Sequence, residues 1–294
     1  MARRSTKLLL VLLVIEFLDE LVYGAREAAW PLLRTDLNLS YAQVGVLLGL
    51  PGIVSSLVEP LFGVLGDIGK RRLLILGGGI AFTLALFVSA ASSSYAWLLL
   101  GFVVLSPASG AFVSLSQATL MDLDPAARER NMARWTFAGS LGVVLGPLAL
   151  TLVLALGGSW RAALVGGAAL TVVIVVNAAR FRFGGAEHSP SSSIGLREGL
   201  VGAVRALGRR DVLRWLTLLQ FSDLMLDVLL GYLALYLVDV ALVDAAQASA
   251  AVAVWSGVGL LGDFLIIRLL DRVSGLRYLR FSAAVELALF VGFL

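Results

Sequence analysis

Long stretches of this 294-residue chain contain no charged side chain, among them Ala96 to Met121, Trp135 to Gly158 and Ala162 to Ala179, of 26, 24 and 18 residues. A helix of about 20 apolar residues crosses the hydrocarbon core of a bilayer, so runs this long read as membrane spans. The hydrophobic share of 59% and mean hydropathy of +0.93 exclude an ordinary soluble domain, which is nearer half apolar. Reading uncharged runs against the charges that interrupt them predicts helices over 7–30, 42–66, 73–91, 96–121, 135–158, 160–180, 214–238, 246–267 and from 279 onward. The fold class expected is an all-α integral membrane protein. The first helix opens like a secretory signal, with Arg3, Arg4 and Lys7 ahead of Leu8 to Ile15. Glu16, Asp19 and Glu20 then occupy the place of a cleavage site, so the segment is expected to stay as a span.

The charged residues decide orientation. With a cytoplasmic N-terminus, 20 of the 23 Lys and Arg residues fall in inside segments, and only Arg26, Arg34 and Arg161 fall outside. This is the positive-inside pattern of a multi-pass protein of the plasma membrane, for a bacterium the inner membrane. Alternation along the chain leaves no basic face for nucleic acid, whatever the net charge of +3 suggests. The absence of cysteine excludes disulfide and thiol chemistry, and the single His188 has no second ligand nearby, so no metal and no cofactor are expected.

Sliding the chain on itself by 204 residues superposes Phe17 on Phe221, Asp19 on Asp223, Gln43 on Gln247, Glu59 on Asp263 and Asp67 on Asp271. Acids within or bordering spans are rare, so these matches at one ungapped offset point to two related units. The expected organisation is a six-helix bundle over 1–183, a cytoplasmic linker over 184–211 and the start of a second bundle over 212–294. Within the linker, Leu200, Val201, Val204 and Leu207 share one face of an amphipathic surface helix, or belong to a loop that happens to be Leu-rich. Two full units would make about 400 residues, so the chain reads as cut short in its ninth span.

Two motifs carry more specific information. Between spans 2 and 3 stands Gly63-Val-Leu-Gly66-Asp67-Ile-Gly69-Lys70-Arg71-Arg72. Gly63 and Gly66 are expected to let helices approach closely. The glycine spacing of a phosphate-binding loop is missing, and Arg71 replaces its Mg²⁺-holding Ser or Thr. The stretch resembles the G-x-L-x-D-R-x-G-R-R signature of the major facilitator superfamily, with Ile68 in place of Arg and one residue fewer before Gly69. A second copy runs through Asp271, Arg272, Gly275 and Arg277. The resemblance implies a cytoplasmic latch formed by Asp67, Lys70, Arg71 and Arg72, with Asp122 and Asp124 as partners; the alternative is a plain basic turn. Span 5 carries Gly139, Gly142, Gly146 and Pro147, which resembles half of the family's exporter and antiporter motif, with Leu150 and Thr151 where the last glycines belong. Small-residue packing with no bearing on transport direction explains it equally well. The membrane Arg found in span 4 of many drug exporters is absent, since Ser106 stands four residues before Gly110.

The acids inside the spans stand on their own physics. Glu16, Asp19, Glu20, Tyr23 and Glu27 form one stripe on span 1, and Gln220, Asp223 and Asp227 another on span 7. Each mid-helix acid facing lipid costs about 2.5 to 3.5 kcal/mol, so both stripes are expected to face a wet cavity or each other. A carboxyl withdrawn from water holds its proton more tightly, which suits proton transfer. Asp19 and Asp223 are therefore first candidates for proton coupling or for holding a cationic substrate group, with Glu16, Glu20 and Asp227 behind them. Glu20 and Glu27 alternatively pair with Arg26 or surface polar groups. Glu59, which precedes Pro60, and its counterpart Asp263 either extend an acid relay or satisfy backbone groups freed by a kink.

The function expected is a monomeric secondary transporter in the lipid bilayer, moving a small organic molecule with protons by alternating access. Export by antiport comes first and metabolite uptake by symport second. A non-transporting sensor or scaffold is the rival from another class; no nucleophile and base pair or metal cluster supports an enzyme.

Overall fold

The computed structural model describes residues 2–124, 127–181, 183, 201–202, 205–206, 208–270, 273 and 275–293. The described elements are helices: α1 (Ala2–Ala28), α2 (Trp30–Asp36), α3 (Tyr41–Leu65), α4 (Arg71–Ala90), α5 (Tyr95–Ser109), α6 (Leu115–Leu123), α7 (Arg128–Ala155), α8 (Trp160–Ala178), α9 (Arg210–Asp239), α10 (Ala245–Leu270) and α11 (Gly275–Phe293). Each predicted span has its helix. Among the described residues, five stretches are long and apolar enough to cross a bilayer: Tyr41–Ala90, Tyr95–Leu123, Arg130–Ala155, Trp160–Ala178 and Ala245–Gly262.

The first of these is two helices folded at the motif turn. Gly69 there has φ +89°, a left-handed conformation that costs glycine little, and it separates α3 from α4. Span 1 is also broken: α1 ends at Ala28, and Pro31 sits in the first turn of α2, where a missing N–H costs nothing. Span 4 is continuous, but beyond Pro107 its winding loosens into a π-turn at Gly110–Ser114 before α6.

The two copies of the repeat agree in detail. α3 begins at Tyr41 and α10 at Ala245, while α4 begins at Arg71 and α11 at Gly275, so both starts differ by the shift of 204 found in the sequence. The matched glutamines sit in equivalent caps. Ser40 Oγ accepts from the Gln43 N–H at 3.2 Å, and Gln43 Oε1 from the Ser40 N–H at 2.9 Å. Asp244, the counterpart of Ser40, accepts from the Gln247 N–H at 2.9 Å. Gln43 and Gln247 thus belong to helix starts, where four N–H groups lack helical partners.

Packing divides the chain into Met1–Ala253 and Val254–Leu294. In the first unit α9 and the start of α10 pack with the six-span bundle, whereas the division drawn from the repeat falls at residues 183 and 211. The second unit holds the remainder of α10 and α11, both helical. Most of the linker, including the expected amphipathic face at Leu200, Val204 and Leu207, lies outside the described residues.

α1 is the central helix of the first unit. Leu12, Ile15, Leu18 and Val22 are buried along it, and it packs chiefly on α7 and α8. The α7 contact is a glycine seam. A methyl group on Gly142 would collide with the Phe17 carbonyl oxygen, and one on Gly146 with that of Leu21. From the other side, a methyl on Gly24 would lie 2.6 Å from the Val143 carbonyl oxygen and 3.1 Å from Pro147 Cδ. The Pro147 carbonyl, one turn before Thr151, accepts from Thr151 Oγ1 at 2.9 Å and from Ser249 Oγ of α10 at 2.8 Å.

Gly146→Ala is expected to lower stability by about 1–3 kcal/mol, the cost of overpacking a filled contact. Gly166→Ala, where a methyl would meet open space, should change little; thermal unfolding of the two variants in detergent compares them.

Candidate functional site

At 100° per residue, the acidic stripe of α1 spans a sector of about 100°, wide enough to meet more than one environment. The structure divides it. Glu16 is buried and turned to α7, where a methyl on Gly139 would lie 2.7 Å from Glu16 Oε1 and 3.4 Å from Glu20 Cγ. Asp19, Tyr23 and Glu27 instead line a cavity of about 820 Å³, together with Arg26. The further walls come from α3, α4, α5 and α9, through residues such as Leu47, Phe82, Ser109 and Tyr232. Ser109 Oγ donates to Asp19 Oδ1 at 2.8 Å.

Arg26, expected from the sequence as an outer-side cation and as the alternative partner of Glu20 and Glu27, is a site residue, and it does pair with Glu27. Its Nε and Nη2 donate to Glu27 Oε1 at 3.1 and 2.8 Å, and Trp30 Nε1 donates to Glu27 Oε2 at 2.8 Å. Its guanidinium carbon lies 5.1 Å from the Tyr23 ring centre and 5.3 Å from that of Phe102, distances at which a cation is attracted to an aromatic face. Glu27, 1% exposed, is therefore a buried counter-ion. The signal available in the sequence was the spacing: Arg26 follows Asp19 by seven residues, two turns along the same helix.

Glu59 accepts from Ser55 Oγ at 2.6 Å, one turn back on α3. Its carboxyl lies against α5's end: a methyl on Gly110 would stand 2.5 Å from Glu59 Oε1. Gly110 thus makes room for an acid rather than carrying the exporters' Arg pattern.

Toward the other end of the bundle, Arg71 Nη1 donates to Asp122 Oδ2 at 2.7 Å, joining the start of α4 to the end of α6. Arg71 Nη2 is 3.7 Å from Asp67 Oδ1, and Arg128 Nη2 of α7 is 3.8 Å from Asp122 Oδ1. Arg71 is buried while the Asp67 side chain is 73% exposed. Arg72 Nη2 donates to the Ala179 carbonyl at 2.9 Å, capping α8, and Lys70 is exposed. One expectation needs correcting. A methyl on Gly66 would press on Leu115 at 2.9 Å, but one on Gly63 meets nothing within 4 Å among the described residues. Of the two, Gly66 alone serves close approach among the described residues.

The opposite end carries a second set of ion pairs. Asp239 of α9 accepts from Arg34 Nη1 at 2.8 Å and from Tyr41 Oη at 2.6 Å, while Arg161 pairs with Asp36 and donates to the Ser92 carbonyl at 2.8 Å. Of the candidate acids in the later spans, Asp223 and Asp227 fall in α9 and Asp263 in α10, with side chains outside the described residues, as are Asp271 and Arg272.

Several helices long and apolar enough to span a bilayer, with charges turned onto an internal cavity, define an integral multi-pass membrane protein. The family model of the Major Facilitator Superfamily matches residues 12–294, and the chain belongs to that family. Its fold is similar to an inward-facing, unoccupied bacterial homologue of the human lysosomal transporter Spinster, with TM-score 0.75 and 19% identity over 92% of this chain and 63% of that one. It is also similar to the nucleoside transporter NupG, with TM-score 0.70 and 17% identity over 90% of this chain and 68% of that one. A D-xylose–proton symporter gives TM-score 0.64 and 17% identity over 92% and 70%. The chain thus spans less than two thirds of the Spinster homologue's length. At these identities the likeness establishes the fold. No curated protein matches.

A double-mutant cycle on Arg71→Ala and Asp122→Ala should show a coupling of about 1–3 kcal/mol, since a buried cation is left without its partner. Detergent unfolding of the four proteins measures it; additivity within experimental error would mean the pair contributes nothing.

Proposed function

We propose that this protein is a secondary transporter that moves a small organic molecule by alternating access, coupled to protons. The observation that carries this reading is Asp19, a carboxylate at span depth on the wall of a cavity large enough for such a molecule. A mid-span acid is costly against lipid, and a position where it meets water, substrate or proton gives it a function that offsets that cost. The Ser109 hydroxyl beside it keeps the charged form hydrogen-bonded when the proton leaves. The family supports transport, and one solved relative of the same fold is a proton symporter.

Within this reading the latch of Asp67, Lys70, Arg71 and Arg72 exchanges partners as the bundles rock, with Asp122 holding Arg71 in the present arrangement. The partly matched motif around Gly142, Gly146 and Pro147 favours export by antiport, with uptake by symport as the second reading. The N-terminus is assigned to the cytoplasm of a bacterial inner membrane by the distribution of Arg and Lys. The protein works as a monomer, its first bundle being residues 1–183 and its second beginning at residue 212. Asp223, Asp227 and Asp263 are assigned to the same acid route through the repeat that relates them to α1 and α3, with Glu16, Glu20 and Glu59 supporting Asp19.

In proteoliposomes loaded with a pH-sensitive dye, members of a panel of small organic compounds should drive proton movement, and the sign of that movement separates antiport from symport. Asp19→Asn should lower gradient-driven flux by about two orders of magnitude, the scale of a positioned proton-transfer group. Unchanged flux in that variant would remove Asp19 from the coupling route.

A further inference from the structure

The charges on the cavity wall are unequal in what faces them. Arg26 and Glu27 neutralise each other through two hydrogen bonds, and Trp30 takes up the second Glu27 oxygen. The rings of Tyr23 and Phe102 attend the same guanidinium. Asp19 accepts from the neutral Ser109 hydroxyl, and the guanidinium held by Glu27 acts on it only electrostatically, with no hydrogen bond between Arg26 and Asp19 among the described contacts. Asp19, Arg26 and Glu27 are the only Asp, Glu, Lys or Arg on the described wall, so its formal charge is one negative, carried by Asp19. The remainder is largely apolar, including Val22, Leu47, Phe82 and Leu105. α9 contributes Val228 and Tyr232 to that wall, and between Arg214 and Asp239 its sequence holds two further charges, Asp223 and Asp227, both acidic. A carboxylate beside apolar surface, with water partly excluded, is stabilised best by a cation. At about 820 Å³ the space suits a drug-sized molecule, pockets for which run from about 300 to 1,000 Å³.

We infer that the cavity binds a hydrophobic organic cation, its charged centre set against Asp19 and its apolar body against Leu47, Phe82 and Leu105. An anion is disfavoured because the one guanidinium present is already paired with Glu27. The inference names the substrate class for the proposed transport and rests on that reading for every step after binding, but binding itself needs no gradient.

Equilibrium dialysis of the purified full chain in detergent, with tetraphenylphosphonium and its near-isosteric anion tetraphenylborate as probes, tests it against a protein-free micelle blank. Saturable binding of the phosphonium alone is expected. Asp19→Asn should weaken it by about tenfold or more, the scale of one charge-assisted contact, and Asp19→Glu should restore most of it. Glu27→Gln, which frees the Arg26 cation, should weaken phosphonium binding as well. Failure of the parent chain to bind the phosphonium saturably, equal binding of the borate, or a monodisperse Asp19→Asn that binds as the parent does would each overturn the assignment. The parent's preference between the two probes decides even if the variant fails to fold. Phosphonium binding without any transport would sink the transporter reading and leave the site; transport of neutral or anionic compounds without phosphonium binding would do the reverse.

Discussion

The arrangement depends on a single constraint: α1 carries Glu16, Asp19, Glu20, Arg26 and Glu27 through a region whose solvent is hydrocarbon. Lipid offers no hydrogen bonds, and each such group must find a partner inside the protein. α1 is accordingly a well-enclosed helix, with Leu12, Ile15 and Leu18 buried on it. Its charges divide among the α7 seam, the Arg26–Glu27–Trp30 cluster and the Ser109-facing cavity. The outer surfaces of the other helices are left to apolar residues such as Leu84, Leu152 and Val173.

Enclosing a charged helix demands close approach, and glycine supplies it. Gly139, Gly142 and Gly146 bring α7 onto the backbone of α1, and Gly139 makes room for the carboxyl of Glu16. Gly110, just past the end of α5, does the same for Glu59 of α3. Without a hydrophobic driving force between helices in lipid, such close van der Waals contact is a principal source of cohesion. The same contact fixes which sector of α1 is left to line the cavity.

Ion pairs then tie helix ends together on both faces. Arg71 with Asp122 holds α4 to α6, and Asp239 holds α9 to α2 and α3 through Arg34 and Tyr41. The first joins helices within the six-span bundle. The second reaches from α2 and α3 to α9, which packs within the first unit.

Span count, span order and the repeat were legible in the sequence because the bilayer imposes a length on apolar runs and helix starts need caps. The shift that aligns Asp19 with Asp223 also aligns the starts of α3 with α10 and of α4 with α11. The acids of α1 were legible as inward-facing, since no other direction is affordable. What each of them touches was decided only by tertiary structure. A sector of about 100° on a helix is shared out by the rotation and depth of its neighbours, and those depend on interhelical packing that no local pattern encodes. Hence Glu16 meets Gly139, Asp19 meets Ser109, Gly63 meets open space, and Arg26, indistinguishable in sequence from a surface cation, becomes part of the cavity wall.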